Sequence, residues 1–302
     1  MKTITRLAMF ILAGGTLLCG ARAFAQSSDA PPTLDPAKRQ QEQQQQSQTP
    51  PQQTQPSGKP AEVTPLTLDS APPPVNAEEE AAIKLFRDAP MTDIVKKEKT
   101  GEDFIAKYPQ SRYRSEVYIW LVRGYLADGK VDKMEEAGDK ELALNPDDPQ
   151  TLAILGSTLP RAMNAQTPNP EQRLDKAEKY CQKALELLPT LPKPADLSDE
   201  NFIKAKDQTS AMAYSGLGIV AFRRGRYAEA VPNFVQAVKL DPQPDPVNLY
   251  LLAISNEKTS HFDDAVAAFT KCAAIPGGMQ NACKSGIDEA KKLGATQLSA
   301  PK

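Results

Sequence analysis

From Val75 onward, apolar residues recur at three- and four-residue spacing, in segments such as AEEEAAIKLF, DKMEEAGDKELAL, DKAEKYCQKALELL, YAEAVPNFVQAVKL and DDAVAAFTKCAAI. That period lines one face of an α-helix. No segment sustains the two-residue alternation of a half-buried strand, so the pattern predicts an all-α fold. The punctuation agrees. Pro146 and Pro242 follow Asn145 and Asp241 and end helices, because proline cannot continue a helix and disfavours one in the residue before it. Gly129 and Gly225 fit the turns between paired helices.

The first 74 residues have another texture. Lys2 and Arg6, the apolar run Leu7 to Leu18 and Ala23-Phe24-Ala25 read as a secretory signal peptide over 1–25, cleaved between Ala25 and Gln26. Two alternatives stay open: an uncleaved anchor, or lipidation of Cys19, although Leu18 stands where a lipobox wants a small residue. Residues 26–74 hold 11 of the 27 Pro and no aromatic, and residues 40–55 hold ten Gln. Such a segment cannot bury enough apolar surface to offset its backbone entropy, so 26–74 is expected to be a disordered linker. The expected product is periplasmic or secreted. Membrane attachment would follow only if the leader stays uncleaved or is lipidated.

The helical part repeats itself. Gly218, Ala230, Phe234, Ala237 and Pro242 recur one unit later as Ala253, Ala265, Phe269, Cys272 and Gly277 at the same spacing, with Pro276 one residue early. Ala230 to Ala265 is 35 residues. Upstream, Ala177, Cys181, Ala184 and Pro189 repeat the second half, with Gly156 as the matching glycine, and Tyr118, Leu121 and Tyr125 precede Pro146. This spacing resembles the tetratricopeptide repeat, in which W-x2-L-G-x2-Y is followed by A-x3-F and then P in 34 residues. The match is good at Leu217-Gly218, Ala230-x3-Phe234 and Pro242, and at Leu252-Ala253, Ala265-x3-Phe269 and Pro276. It is partial at Tyr118-x2-Leu121-Val122-x2-Tyr125. In the second unit Gly156 to Ala177 is 21 residues rather than 12, an insertion placed within Pro160–Arg173. A further insertion spans Pro192–Gln208.

The resemblance implies a right-handed solenoid of antiparallel helix pairs over 75–294: a degenerate unit at 77–110, units near 115–148, 149–191, 211–244 and 246–278, and a capping helix over 279–293. The cap carries Met279, Ala282, Cys283, Ile287, Ala290 and Leu293 as its apolar stripe, and residues 295–302 are expected to fray. Solenoids need such a polar-backed end.

Chemistry adds little. Charges number 36 basic and 38 acidic, and loss of Lys2, Arg6 and Arg22 takes the net charge from −2 to −5, which argues against nucleic-acid binding. The single His261 lies in a turn with no nucleophile or carboxylate array, so no catalytic, cofactor or metal residue is assigned. Asp196-Leu197-Ser198-Asp199-Glu200-Asn201 lacks cation-loop spacing, and Ser198 reads instead as the cap of a helix starting at Asp199. Of the three cysteines after the leader, Cys272 and Cys283 flank the Pro276-Gly277-Gly278 turn and face each other across a helical hairpin. The expectation is a disulfide worth roughly 3 kcal/mol in the chain-entropy model, the alternative being two buried thiols. Cys181 takes the place of Phe234 and is expected as a buried thiol.

In the family the first helix of each pair lines a groove. That places Trp120 and Arg123 of the first full unit, Phe222 and Arg223 of the third, and Tyr250, Ile254 and Lys258 of the fourth as partner-binding candidates, with Ile119, Met212, Ser215, Ile219, Leu251 and Glu257 beside them. The expected function is non-enzymatic: a monomer holding a protein or peptide partner, as a scaffold or assembly factor of the cell envelope. Alternatives are a membrane-tethered, lipoprotein-like component of outer-membrane biogenesis, or an accessory subunit of an envelope enzyme acting through the inserted loops.

Overall fold

The computed structural model describes residues 76–195 and 197–299. The leader, the Pro/Gln-rich segment, Asp196 and residues 300–302 lie outside them. Eleven α-helices and one short 3-10 turn make up the described residues, with no strand among them. In chain order the helices are α1 (Ala77–Asp88), α2 (Ile94–Lys107), α3 (Arg114–Ala127), α4 (Val131–Leu144), α5 (Pro149–Ala162), α6 (Pro170–Leu187), α7 (Asp199–Arg223), α8 (Tyr227–Leu240), α9 (Pro246–Lys258), α10 (Phe262–Ala273) and α11 (Gln280–Ser299). Each helix packs on the next in sequence, and the first helices of neighbouring pairs also meet, α5 against α7. The result is a helical-repeat solenoid.

Prolines act at both ends of helices here. Asn145 and Asp241 cap the ends of α4 and α8, with Pro146 and Pro242 just beyond. Pro149 and Pro246 open α5 and α9 one residue after Asp148 and Asp245, whose carboxylates accept first-turn backbone N–H groups. Pro at the first helical position gives up an N–H that had no helical partner, and the preceding acid suits the positive end of the helix.

Small residues set how closely the helices approach. A Cβ on Gly218 would stand 2.7 Å from the Phe234 ring, and one on Gly156 would stand 2.4 Å from Cys181 Sγ. Each glycine therefore receives the side chain that the paired helix wedges against it. Cys181 is smaller than Phe234 and is itself flanked by Gly216 of the following unit, whose Cβ would also lie 2.4 Å from the sulfur. A thiol in place of a ring lets α5, α6 and α7 close on one another. Burial pushes the Cys181 thiol far up from its ordinary pKa.

Two apolar clusters dominate. One gathers Ile83, Phe86, Phe104, Val117, Leu121, Leu155 and Leu159 from α1 to α5, and reaches Val220. The other gathers Ile219, Phe234, Leu249, Phe269, Cys272, Cys283 and Ala290 from α7 to α11. Their boundary runs through α7, between neighbouring residues Ile219 and Val220. Just past the end of α7, Arg224 pairs with Glu171 (3.1 Å), Asp175 (2.5 Å) and Glu178 (2.6 Å), tying that end to α6.

Three boundaries differ from expectation. Helix α5 continues through Pro160 to Ala162, so the connection left by the insertion is only 163–169. Much of the supposed second insertion is helix: α7 starts at Asp199, where Ser198 Oγ accepts from Asn201 N–H, and no Gly or Pro interrupts it before Gly216. The last helix runs to Ser299 rather than fraying from 295, because no proline occurs before Pro301 and Thr296 Oγ1 donates to the Lys292 carbonyl. Leu293, assigned to the buried stripe of that helix, is 41% exposed, whereas Ala290 is fully buried.

Candidate functional site

The face lined by the first helices of successive pairs is hollow between α5, α7 and α9. Two cavities meet there. One, of about 470 Å³, is lined by Leu126, Ser157, Thr158, Gln208, Met212 and Ser215, with Asp245 and Asn248 from the start of α9. The other, of about 700 Å³, is walled by Met163, Leu174, Ile219, Phe222, Tyr227, Val247 and Leu251, with Arg223 at its edge. Arg161 lines both.

Arg161 is held by three repeats at once. It comes from the end of α5, pairs with Asp245, and donates to Ser215 Oγ (3.1 Å) and Asn248 Oδ1 (3.3 Å). Ser215 Oγ donates in turn to Asn248 Oδ1 at 2.7 Å, with Ser215 buried. Asp245 uses its other oxygen to cap α9, accepting from Val247 N–H at 2.8 Å. A charged pair shared across three first helices fixes their spacing, and its hydrogen bonds are charge-assisted. Sequence reasoning missed Arg161 because it lay inside the presumed insertion. A signal was present: Arg161 stands five residues after Gly156, as Arg223 does after Gly218 and Lys258 after Ala253.

The groove candidates separate into two groups. Phe222 and Arg223 line the larger cavity, with Phe222 meeting Tyr227 edge-on, ring centres 5.4 Å apart. Leu251, Ile219, Met212 and Ser215 line the two cavities as well. Trp120 does not join them: its ring packs edge-on against Phe86 of α1 at 6.3 Å, and the Lys97 ammonium lies 4.9 Å from its centre. Arg123 hydrogen-bonds Gln150 of the next unit. Tyr250 packs edge-on against Phe269 at 5.6 Å, with its phenol pKa raised by burial and by Glu257 and Glu289. Ile254 is half-buried against the C-terminal core, and Lys258 is exposed. His261 sits in an exposed turn, its Nδ1 2.9 Å from Thr259 Oγ1.

The cavities thus present apolar walls edged by hydroxyl, amide and guanidinium groups, which suits binding of a polar-edged apolar ligand. Among the described residues no group of three or more His, Cys, Asp or Glu side chains could hold a metal ion. No helix among them is long and apolar enough to cross a membrane.

The α7–α8 pair, with its Gly218–Phe234 wedge and terminal Pro242, is the unit that decides the family: residues 211–244 match the family model described as tetratricopeptide repeat. The chain is a tetratricopeptide-repeat protein. A comparison with curated proteins finds no match. Among solved structures, a thermophilic tetratricopeptide-repeat protein of Thermus thermophilus is 18% identical, with a TM-score of 0.43, over 70% of this chain and 96% of that one. PilW, described as a widely conserved type IV pilus biogenesis factor, is 16% identical, with a TM-score of 0.44, over 75% and 96%. Yeast Tom70 is 17% identical, with a TM-score of 0.44, over 73% of this chain and 40% of that one. In this tetratricopeptide-repeat chain, the first helices of the second, third and fourth full pairs, α5, α7 and α9, line the hollow face, and the 163–169 connection adds a wall beside α7.

Proposed function

We propose that this protein is a non-enzymatic binding module that holds a peptide segment of a protein partner along α5, α7 and α9, outside the cytoplasm. The observation that carries the reading is the pair of contiguous cavities on that face, apolar inside and polar at the edge. Their volumes lie in the range of ligand-binding pockets. Arg161 and its partners hold the three first helices at fixed spacing, so the surface is preformed and little ordering is needed on binding. The leader sequence and the Cys272–Cys283 bond support export into an oxidising compartment. A scaffolding role in the envelope, the Pro/Gln-rich segment acting as a spacer, follows as part of the same proposal.

Site-specific photocrosslinking in the producing cell tests this. A photoreactive residue at Met212 or Phe222 is expected to give discrete protein adducts that map to one linear segment of the partner. The same residue at Lys179 or Gln182, exposed on α6 away from the cavities, is expected to give none. Equal adducts from both sets of positions overturn the groove assignment. The N-terminus of the exported protein is expected at Gln26, and a cytoplasmic product retaining Met1 overturns the export part.

A further inference from the structure

The larger cavity is edged by a cation with no anion beside it among the described residues. Arg223 closes that edge, and the partner of its guanidinium there is the Met163 carbonyl, 2.9 Å from Nη2. Most other arginines of the described residues have a carboxylate: Arg87, Arg112, Arg161, Arg173, Arg224 and Arg226 all do. Arg114 and Arg123 are satisfied by carbonyl or amide oxygens. Burial against the cavity lowers the Arg223 pKa, so the charge sits where water solvates it poorly. Glu171, the carboxylate on the rim, is turned onto Arg224 at 3.1 Å. The wall facing the guanidinium is Ile219, Phe222, Tyr227, Val247 and Leu251. The connection 163–169, which the extra residues of the second unit create, supplies Met163, and its carbonyl fixes the guanidinium.

We infer that this pocket takes an acidic-apolar peptide segment: an aliphatic or aromatic side chain in the cavity with an adjacent Asp or Glu side-chain carboxylate on Arg223. The inference rests on the groove reading above and specifies its partner. A single guanidinium beside apolar walls matches one negative charge next to one apolar group. The Nε–H and remaining Nη–H groups can form a two-bond fork with a carboxylate. A densely charged anion such as a nucleic-acid backbone is disfavoured by Glu171, Asp175 and Glu178 close by. The open length of the cavity and its two edges suit a segment within a chain, so the carboxylate is that of a side chain and not of a chain end.

Selection from randomised peptide libraries by the full-length exported protein tests this. One library is displayed with both peptide ends blocked by the carrier, and one with free C-termini. The wild-type protein is expected to enrich Asp or Glu within two positions of Leu, Ile or Phe in the blocked library. A selected peptide is expected to bind at least tenfold more tightly than its Gln or Asn counterpart. Arg223→Gln should abolish that tenfold preference while leaving apolar enrichment and the far-ultraviolet helix signal intact, and Arg223→Lys should retain part of it. Enrichment of apolar residues alone overturns the inference and leaves the groove reading standing. Acidic enrichment that persists in Arg223→Gln overturns the assignment to Arg223, and selection only from the free-end library overturns the side-chain source. No enrichment from either library overturns both this inference and the groove reading.

Discussion

Three turns between paired helices pass through a residue with positive φ: Gly129 at 68°, Gly225 at 70° and Ser260 at 61°. Glycine reaches this region without steric cost, whereas a Cβ there crowds the following carbonyl. Ser260 therefore carries strain that its two counterparts avoid. Ser260→Gly is expected to stabilise the protein by about 0.5–1 kcal/mol, after allowing for the greater freedom of glycine in the unfolded chain. Thermal unfolding of the variant checks this, and an unchanged or lower midpoint contradicts it. Gly216→Ala runs the other way. Its Cβ would meet Cys181 Sγ at 2.4 Å and the Gly156 carbonyl oxygen at 2.7 Å, and backbone cannot move aside as a flexible side chain can. The expected loss is about 1–3 kcal/mol, the range for overpacking a filled core, measured by denaturant titration. The turn glycines and the Gly218–Phe234 wedge were legible because each rests on one residue type at one spacing. Arg161 was not, because its role depends on Asp245, 84 positions away. The aromatic candidates misled for a related reason. Trp120 and Tyr250 stand at repeat positions that border the groove, but rings of that size reach Phe86 and Phe269 on neighbouring helices and pack there.

Helix α11 shows what an end element requires. It packs chiefly on α10, on one side only, and so gains less burial than an internal helix. Three devices compensate. Gly286 lets the Phe269 ring come within 2.5 Å of where its Cβ would be, Gln280 Nε2 donates to the Ala273 carbonyl at 3.0 Å, and a disulfide joins Cys272 to Cys283 with Cα atoms 5.8 Å apart. In the chain-entropy model, closing so short a loop stabilises by about 3 kcal/mol, mainly by restricting the unfolded chain. Reduction is therefore expected to lower the unfolding free energy by about 2–3 kcal/mol. It should also raise amide exchange in α11 more than in any other helix. If oxidised and reduced protein unfold at the same denaturant concentration, the bond is not what holds the last helix. The helix class of every element was readable from periodicity, and so were most stops, because Asn145-Pro146 and Asp241-Pro242 are local signals. Ser198 likewise marked where α7 begins. The unbroken run of α7 from there into the repeat was not legible, nor was the end of α11. A repeat pattern marks only the residues that pack in the repeat, and both overruns are held by ordinary helix formers that the pattern leaves undescribed.

In a stack of helix pairs each unit contacts only its neighbours, so stability is a sum of unit and interface contributions and need not be uniform along the chain. The interfaces here differ in kind. Between α5, α6 and α7, Gly156, Cys181 and Gly216 allow backbone to approach backbone, and Arg224 ties α7 to three acids of α6. Arg161 adds a charged link on to α9. At the N-terminal end, α1 buries Ile83 and Phe86 yet leaves Leu85 at 64% exposure, and α2 leaves Val95 at 70%. The ion pairs that join α1 to α3 and the turn before it, Arg87–Glu116 and Arg112–Glu80, are between partly exposed groups and are each worth about 0–1 kcal/mol. The central pairs should therefore open only with global unfolding, while α1 and α2 open locally. Native-state hydrogen exchange at low denaturant is expected to rank the amides accordingly: α1 and α2 least protected, α5, α7 and α8 most, with α10 and α11 between and falling on reduction. Equal opening free energies in α1 and α7 would contradict this and make the described helices a single cooperative unit. The ranking also bears on binding. The cavities lie between α5, α7 and α9, where the slowest exchange is expected, so a ligand there should meet a surface already in its bound shape, and occupancy should deepen protection at α7 and α9 while leaving α1 and α2 unchanged.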